Sequence, residues 1–367
     1  MKKTTGSVLA ILALGMVLST GLFAGGTKEP AAATSTPLST ASMDDLIAKA
    51  KQEGTLVSYG LPDDWVNYGG ILNIMKTVYG IKCMDTDMGT GEIIAALKAE
   101  RAGAVADATD LGFNFATVIT AEKLSQPYKN RHWDEIPDFA KDPGGLWSAA
   151  YWGAIAFTVN KEIVKNVPRT WQDLLKPEYK GMIAIKDPRS SGTANMMVLA
   201  AAFAMGGSEK NVQPGLDYFK KLKQAGNINA TSPSTSAIQK GEAPIALFWD
   251  FDGLSKKYSL PMDSLEVVIP SDGTVAGMYI QFIAAGAPHS NVARLLIETE
   301  YADEGQVEYA KGFVHPIRKN VKLPPDLKEK FPPDADYRVV KFVNDAKTLG
   351  DAAQKIADGW EEIAAIK

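Results

Sequence analysis

The chain has 367 residues, of which 46% are hydrophobic and 22% charged, and a formal net charge of −4. That composition suits an ordinary folded protein, and its mildly acidic balance excludes the concentrated basic face that a nucleic-acid partner needs. About 340 residues follow the first 24, more than one ordinary core accommodates and enough for two lobes.

Lys2 and Lys3 open the chain, residues 8–23 are almost wholly apolar, and Leu22-Phe23-Ala24 precedes the polar Gly25-Gly26-Thr27-Lys28. That order predicts a secretory signal peptide over 1–24, cut after Ala24. The other reading, an uncleaved anchor, is opposed by the shortness of the run and by Gly15 and Gly21 within it. Loss of Lys2 and Lys3 leaves 37 basic against 43 acidic residues, a charge of −6. No cysteine follows the apolar run, so no lipid anchor is expected. The single Cys83 is assigned to the core. Export predicts a periplasmic protein, and a compartment without an ATP pool favours binding or hydrolysis.

Residues 25–42 are rich in Ala, Thr, Ser and Pro and read as a disordered tether. A helix is expected from Met43, capped by Ser42 or Asp44 and ended by Gly54. Residues 55–59 read as a strand running into the loop Gly60-Leu61-Pro62-Asp63-Asp64-Trp65. The unit repeats: strand 81–84, loop 85–91, helix 92–101, then strand 108–111. Residues 151–160 are extended and apolar, the candidate first crossing between lobes. A second series has strand 182–186, loop 187–193, helix 194–205, strand 245–249 and the acidic turn Asp250-Phe251-Asp252-Gly253. Strands 265–269 and 278–284 close the list, and helices follow. In such α/β sheets, ligands bind outside the carboxyl ends of the strands, where these polar loops sit.

At these loops the chain resembles the extracytoplasmic solute-binding proteins of ABC importers, in the branch of ferric-iron, polyamine, thiamine and phosphonate binders. The resemblance is carried by Gly54-Thr55-Leu56-Val57-Ser58-Tyr59-Gly60, Thr90-Gly91-Glu92, Val167-Pro168-Arg169-Thr170-Trp171-Gln172-Asp173-Leu174-Leu175 and Pro177-Glu178-Tyr179-Lys180-Gly181. Asp187-Pro188-Arg189-Ser190-Ser191-Gly192-Thr193 and Ala302-Asp303-Glu304-Gly305-Gln306 complete it, in order, over about 250 residues. It implies a type II, two-lobed periplasmic-binding-protein-like α/β fold with two crossing strands as hinge, a small-molecule solute between the lobes, and docking to a permease in the cytoplasmic membrane. The expected lobes are 45–152 plus 277–318 and 153–276; helices at 324–367 are assigned to neither. A monomer without a cofactor is expected.

Three groups of residues are candidates for ligand contact. Ser190, Ser191, Gly192 and Thr193 precede a helix, whose free N–H groups suit an anion; capping is the plainer reading. Asp63, Asp64, Trp65, Asp87, Trp249, Asp250, Asp252 and Tyr279 pair carboxylates with aromatic faces, which suits an organic cation. Thr90, Gly91 and Tyr151 complete the set, Tyr151 as hinge packing or cleft wall. An amine or zwitterion is the expected solute. Ferric iron is the alternative within the family, but the adjacent tyrosines typical of iron binders are absent, the corresponding stretch being Phe248-Trp249-Asp250-Phe251. His132, His289 and His315 lack ligand-type spacing, so no metal site is expected. The competing classes are a secreted hydrolase and a surface adhesion or sensory module. The hydrolase lacks a Gly-x-Ser-x-Gly elbow, a His-Glu-x-x-His helix and a P-loop, and no catalytic residue is assigned.

Overall fold

The computed structural model describes residues 40–366 apart from Pro261. The expected signal peptide and all of the tether before residue 40 lie outside them. The first helix, α1 (Thr40–Glu53), starts three residues before the expected Met43, so the helix takes in the end of the tether segment. It ends where Gly54 takes a φ of 69°, left-handed backbone that favours glycine. Three strand–helix units follow: β1 (Thr55–Tyr59), α2 (Tyr68–Thr77), β2 (Lys82–Thr86), α3 (Thr90–Ala99), β3 (Ala108–Gly112) and α4 (Ala116–Ala121). β1 is parallel to both β2 and β3. Cys83 lies on β2, only partly buried, with burial pushing its thiol up to about 11.

After the short β4 (Ser125–Gln126), the long β5 (Ser148–Asn160) is buried along nearly its whole length, as its run Ser-Ala-Ala-Tyr-Trp-Gly-Ala-Ile-Ala-Phe-Thr-Val-Asn requires. The second half holds β6 (Ile183–Ala184), α5 (Gly192–Ala204), α6 (Gln213–Gln224), α7 (Thr235–Gln239), β7 (Ile245–Trp249), α8 (Asp250–Ser259) and β8 (Leu265–Val268). The expected acidic turn at 250–253 is instead the first turn of α8. Two acids, Asp250 and Asp252, sit there at the positive end of the helix dipole, where they stabilise a helix. The chain returns through β9 (Thr274–Ala284), α9 (Ser290–Tyr301), α10 (Asp303–Lys311), β10 (His315–Pro316), α11 (Pro325–Lys328), β11 (Val340–Lys341) and α12 (Ala346–Ala364).

The main strand order is β2-β1-β3-β9-β5-β7-β6. β9 pairs with β3 from Tyr279 to Ile283, and with β5 from Gln281 back to Ala276 opposite Ala154. Beyond Ala154, β5 pairs with β7 from Ile155 and with β8 from Phe157. Both long strands therefore serve two groups of strands. Where they cross, Gly277 leaves room for the ring of Trp249, which a Cβ would overlap.

α12 belongs to neither half alone. It packs against residues 113–121 on one side and against α5 and α6 on the other. Trp360 meets Phe219 at 5.5 Å, the Asn195 side chain donates to the Ala353 carbonyl at 2.8 Å, and Lys220 pairs with Glu362.

Gly277→Ala is expected to destabilise the fold by about 1–3 kcal/mol, because the methyl group displaces Trp249 at the crossing. Urea unfolding checks this, and an unchanged midpoint would show that the indole has room to move.

Candidate functional site

The loop after β1 is held in an unusual conformation. Val66 and Asn67 have φ of 45° and 63°, a strained region for a β-branched residue, and Val66 is buried. The Asn67 amide donates to the Glu308 carbonyl and to Glu308 Oε2, each at 2.9 Å, which fixes the loop to α10. The result aims Trp65 inward. Its indole N–H donates to Tyr151 Oη at 2.9 Å and lies 3.3 Å from Asp110 Oδ2, and its ring meets Tyr279 and Phe251 edge-on at 5.5 Å each.

A cavity of about 660 Å³ opens beside this ring. From the first group of strands it is lined by Asp64, Trp65, Asp87 and Thr90, which follow β1 and β2, and by Asp110 within β3. From the other side come Asp252, Ser255, Lys256 and Ser259, one face of α8 at helical spacing, with Thr235 and, from β9, Tyr279. A neighbouring cavity of about 370 Å³ shares Asp64, Trp65, Asp252, Ser255 and Ser259 and adds Asp63. A third, of about 60 Å³, shares Asp252 and Lys256 and adds Lys186 and Thr193. The sequence-based candidates Asp63, Asp64, Trp65, Asp87, Thr90, Thr193, Asp252 and Tyr279 are thus brought together around connected space.

Other candidates are placed elsewhere. Asp250 is fully buried and lines none of these cavities. Its Oδ1 accepts from the Ala154 and Phe251 backbone N–H groups at 2.9 Å each. Its Oδ2 accepts from the Tyr337 hydroxyl at 2.9 Å and lies 3.0 Å from His315 Nε2. It ties α8 to β5 and to the chain after β10. Trp249 is 3% exposed, stacked on Phe251 at 5.9 Å in the core of the crossing. Tyr151 is fully buried and stacks on Tyr279 at 5.2 Å, so it supports the cleft wall from behind. The Ser191 hydroxyl accepts from the Ala194 N–H at 3.3 Å, which is capping. Ser190, Gly192 and Gly91 are exposed and line none of these cavities.

The sequence reading missed Asp110, Thr235, Ser255, Lys256 and Ser259. The α8 residues are a polar stripe at spacings of three and four, hidden by reading 250–253 as a turn. Asp110 stands in a buried strand, Ala-Thr-Asp-Leu-Gly, where an acid is itself a signal. Tyr151 Oη donates to its Oδ2 at 2.6 Å. Burial pushes its carboxyl up to about 7, against the lowering effect of the Tyr151 hydroxyl and of Tyr68, Trp65 and Gln281.

A family model described as bacterial extracellular solute-binding protein matches residues 111–344. The chain belongs to that family. An uncharacterized protein of Haemophilus influenzae is 30% identical over 298 residues, 76% of this chain and 81% of its own length. A Salmonella typhimurium periplasmic protein, provisionally named for 2-aminoethylphosphonate binding, is 24% identical over 78% of this chain and 80% of its own. The periplasmic binding protein AfuA of Actinobacillus pleuropneumoniae, solved with exogenous fructose-6-phosphate bound, superposes with a TM-score of 0.67 at 25% identity, covering 85% of this chain and 99% of that one. The periplasmic-binding-protein-like α/β fold expected from the resemblance is therefore the fold observed, and the family is one of solute binders in ABC import systems rather than of hydrolases.

Asp250→Asn is expected to lower stability by about 3 kcal/mol, since the amide turns a donor toward groups that themselves donate. Urea unfolding measures the loss, and solute affinity of the folded variant stays within twofold of the parent, a margin of about 0.4 kcal/mol.

Proposed function

We propose that this protein captures a solute bearing a protonated amine, a cation or a zwitterion, between two lobes in the periplasm and delivers it to an ABC permease. The observation that carries this reading is the cavity lining. Asp64, Asp87, Asp110 and Asp252 line the same cavity as the rings of Trp65 and Tyr279. Carboxylates neutralise an ammonium group and aromatic faces attract it. Lys256 is the one cation in that lining, and its Nζ already lies 3.5 Å from Asp252 and 5.0 Å over the Phe248 ring.

Lys186, Lys256 and Thr193 line the adjoining small space, where an anionic end of the same molecule is accommodated. A zwitterion with its ammonium at Trp65 and its anion toward Thr193 uses both. The Salmonella relative's name fits such a molecule, with an amine at one end and a phosphonate at the other.

The lobes in this reading are 45–152 with 277–318, and 153–276, joined by β5 and β9, with the leader removed after Ala24 and the protein working as a monomer. A solute that touches Asp64 and Trp65 on one side and Asp252 and Ser255 on the other favours the closed state by its contacts to both. α12, which packs on both sides, limits how far they part.

At a hundredfold excess over its dissociation constant the solute stabilises the protein by about 2.7 kcal/mol, read as a rise in melting temperature. Trp65→Ala and Asp252→Asn each weaken binding roughly tenfold or more and so diminish that rise. A panel of putrescine, 2-aminoethylphosphonate and fructose 6-phosphate tests the class. Stabilisation by the sugar phosphate alone contradicts the amine reading.

A further inference from the structure

Asp110 differs from the other acids of the cavity in how its carboxyl is used. It is 5% exposed at the cavity wall, and while Oδ2 receives the Tyr151 hydroxyl and the Trp65 indole, Oδ1 is buried with no hydrogen-bond partner. A buried acceptor of this kind costs stability unless a donor reaches it.

The surroundings offer donors but no cation. From α2 and the loop before it come Tyr68 and Trp65; from β5, Tyr151; from β9, Tyr279 and Gln281; from α10, Tyr309; and from α9, Glu300. Gln281 Nε2 and the Tyr309 hydroxyl each donate to Tyr68 Oη, at 2.5 Å and 3.2 Å. Glu300 is a second buried acid, with neither carboxyl oxygen hydrogen-bonded, and burial pushes its carboxyl well above the usual carboxylate range. On the cavity side stand Asp64, Asp87 and Asp252, with Lys256 engaged as described. Among the described residues no lysine or arginine bonds Asp110. An ionised carboxylate here lacks a counter-charge, so without a solute the group keeps its proton to a higher pH than an exposed acid does.

We infer that Asp110 is the specificity-determining residue for the solute's ammonium group, and that the ammonium replaces the Asp110 proton when it binds. The inference rests on the amine reading of the cleft. The balance is simple: the neutral Asp110 carboxyl and R–NH3+ give carboxylate paired with R–NH3+ and one released proton. The ionised carboxylate offers a negative charge that an ammonium answers and that a neutral sugar or an anion does not, and the aromatic walls of Trp65 and Tyr279 favour the cation over water. With the carboxyl titrating near 7, only the ionised fraction is competent, so apparent affinity falls about tenfold between pH 8 and pH 6 for a solute whose own charge is constant.

Putrescine is a suitable first probe because its amines stay protonated across that range. Isothermal titration at pH 6 and pH 8, in buffers of different ionisation enthalpy, reads both affinity and protons released. For 2-aminoethylphosphonate, whose own phosphonate titrates, the difference between parent and Asp110→Asn gives the same quantity. The expected result is close to one proton released per amine bound at pH 6, little at pH 8, and none attributable to this site in Asp110→Asn, whose weaker binding is flat with pH. Tyr151→Phe, which removes a donor that favours the ionised form, moves the midpoint of the pH dependence upward and serves as the second variant if Asp110→Asn does not fold. Amine binding with equal affinity at the two pH values, or with the same proton release in Asp110→Asn or an unmoved midpoint in Tyr151→Phe, overturns the inference and leaves the amine reading standing. Binding of neither amine at either pH removes that reading and the inference with it.

Discussion

Two long strands shared by both halves of the molecule are the constraint on which the rest depends. β5 and β9 run antiparallel, β9 continuing onto the β1–β3 group and β5 onto β7 and β8. Their register puts Tyr151 opposite Tyr279, so Tyr279 reaches the cavity wall with the buried Tyr151 ring stacked behind it. The alternate side presents Trp152, stacked on His315 at 4.1 Å and packed against Phe342. Between the two lies Asp250, whose four contacts bind α8 to β5 and to the returning chain. With the crossing so fixed, the start of α8 and the ends of β1, β2 and β3 have to face one another.

The chemistry of the cleft follows from that geometry. Asp64 and Asp87 stay exposed, and Asp110 is the acid of the lining that burial strips of hydration, a cost that a fold accepts where something else supplies the opposite charge. Burial pushes the Asp110 carboxyl up to about 7, while Asp252 has Lys256 Nζ 3.5 Å away. The left-handed backbone at Val66 and Asn67, held by the Glu308 contacts, adjoins Trp65, whose indole N–H is fixed on Tyr151 and Asp110.

Much of the fold was legible in the sequence because the strands are short, apolar and bounded by turn residues. Residues 245–249 form the strand their β-rich run implies, and the helix after Ser191 begins within two residues of its expected start. The acidic stretch 250–253 was misleading because Asp-Phe-Asp-Gly satisfies the rules for a turn as well as those for a helix start, and only the packing of α8 on β5 selects the helix. The same ambiguity hid Ser255, Lys256 and Ser259. Residues beside a site are harder to sort than elements: Trp249 and Asp250 adjoin Asp252 in sequence, yet strand alternation and the start of α8 turn them into the core. Asp110 was passed over as a strand residue because pairing with Trp65 and Tyr151, 45 and 41 residues away, exists only in the folded chain.

The central claim is that an acid-lined cleft between the halves holds a protonated amine. Native mass spectrometry of the exported protein, purified without refolding, tests it most directly, since a captured solute identifies its own class. The account predicts a bound small molecule containing an amine nitrogen, retained by the parent and lost from Asp252→Asn. A bound ferric ion, or a sugar phosphate without nitrogen retained equally by both proteins, would contradict it.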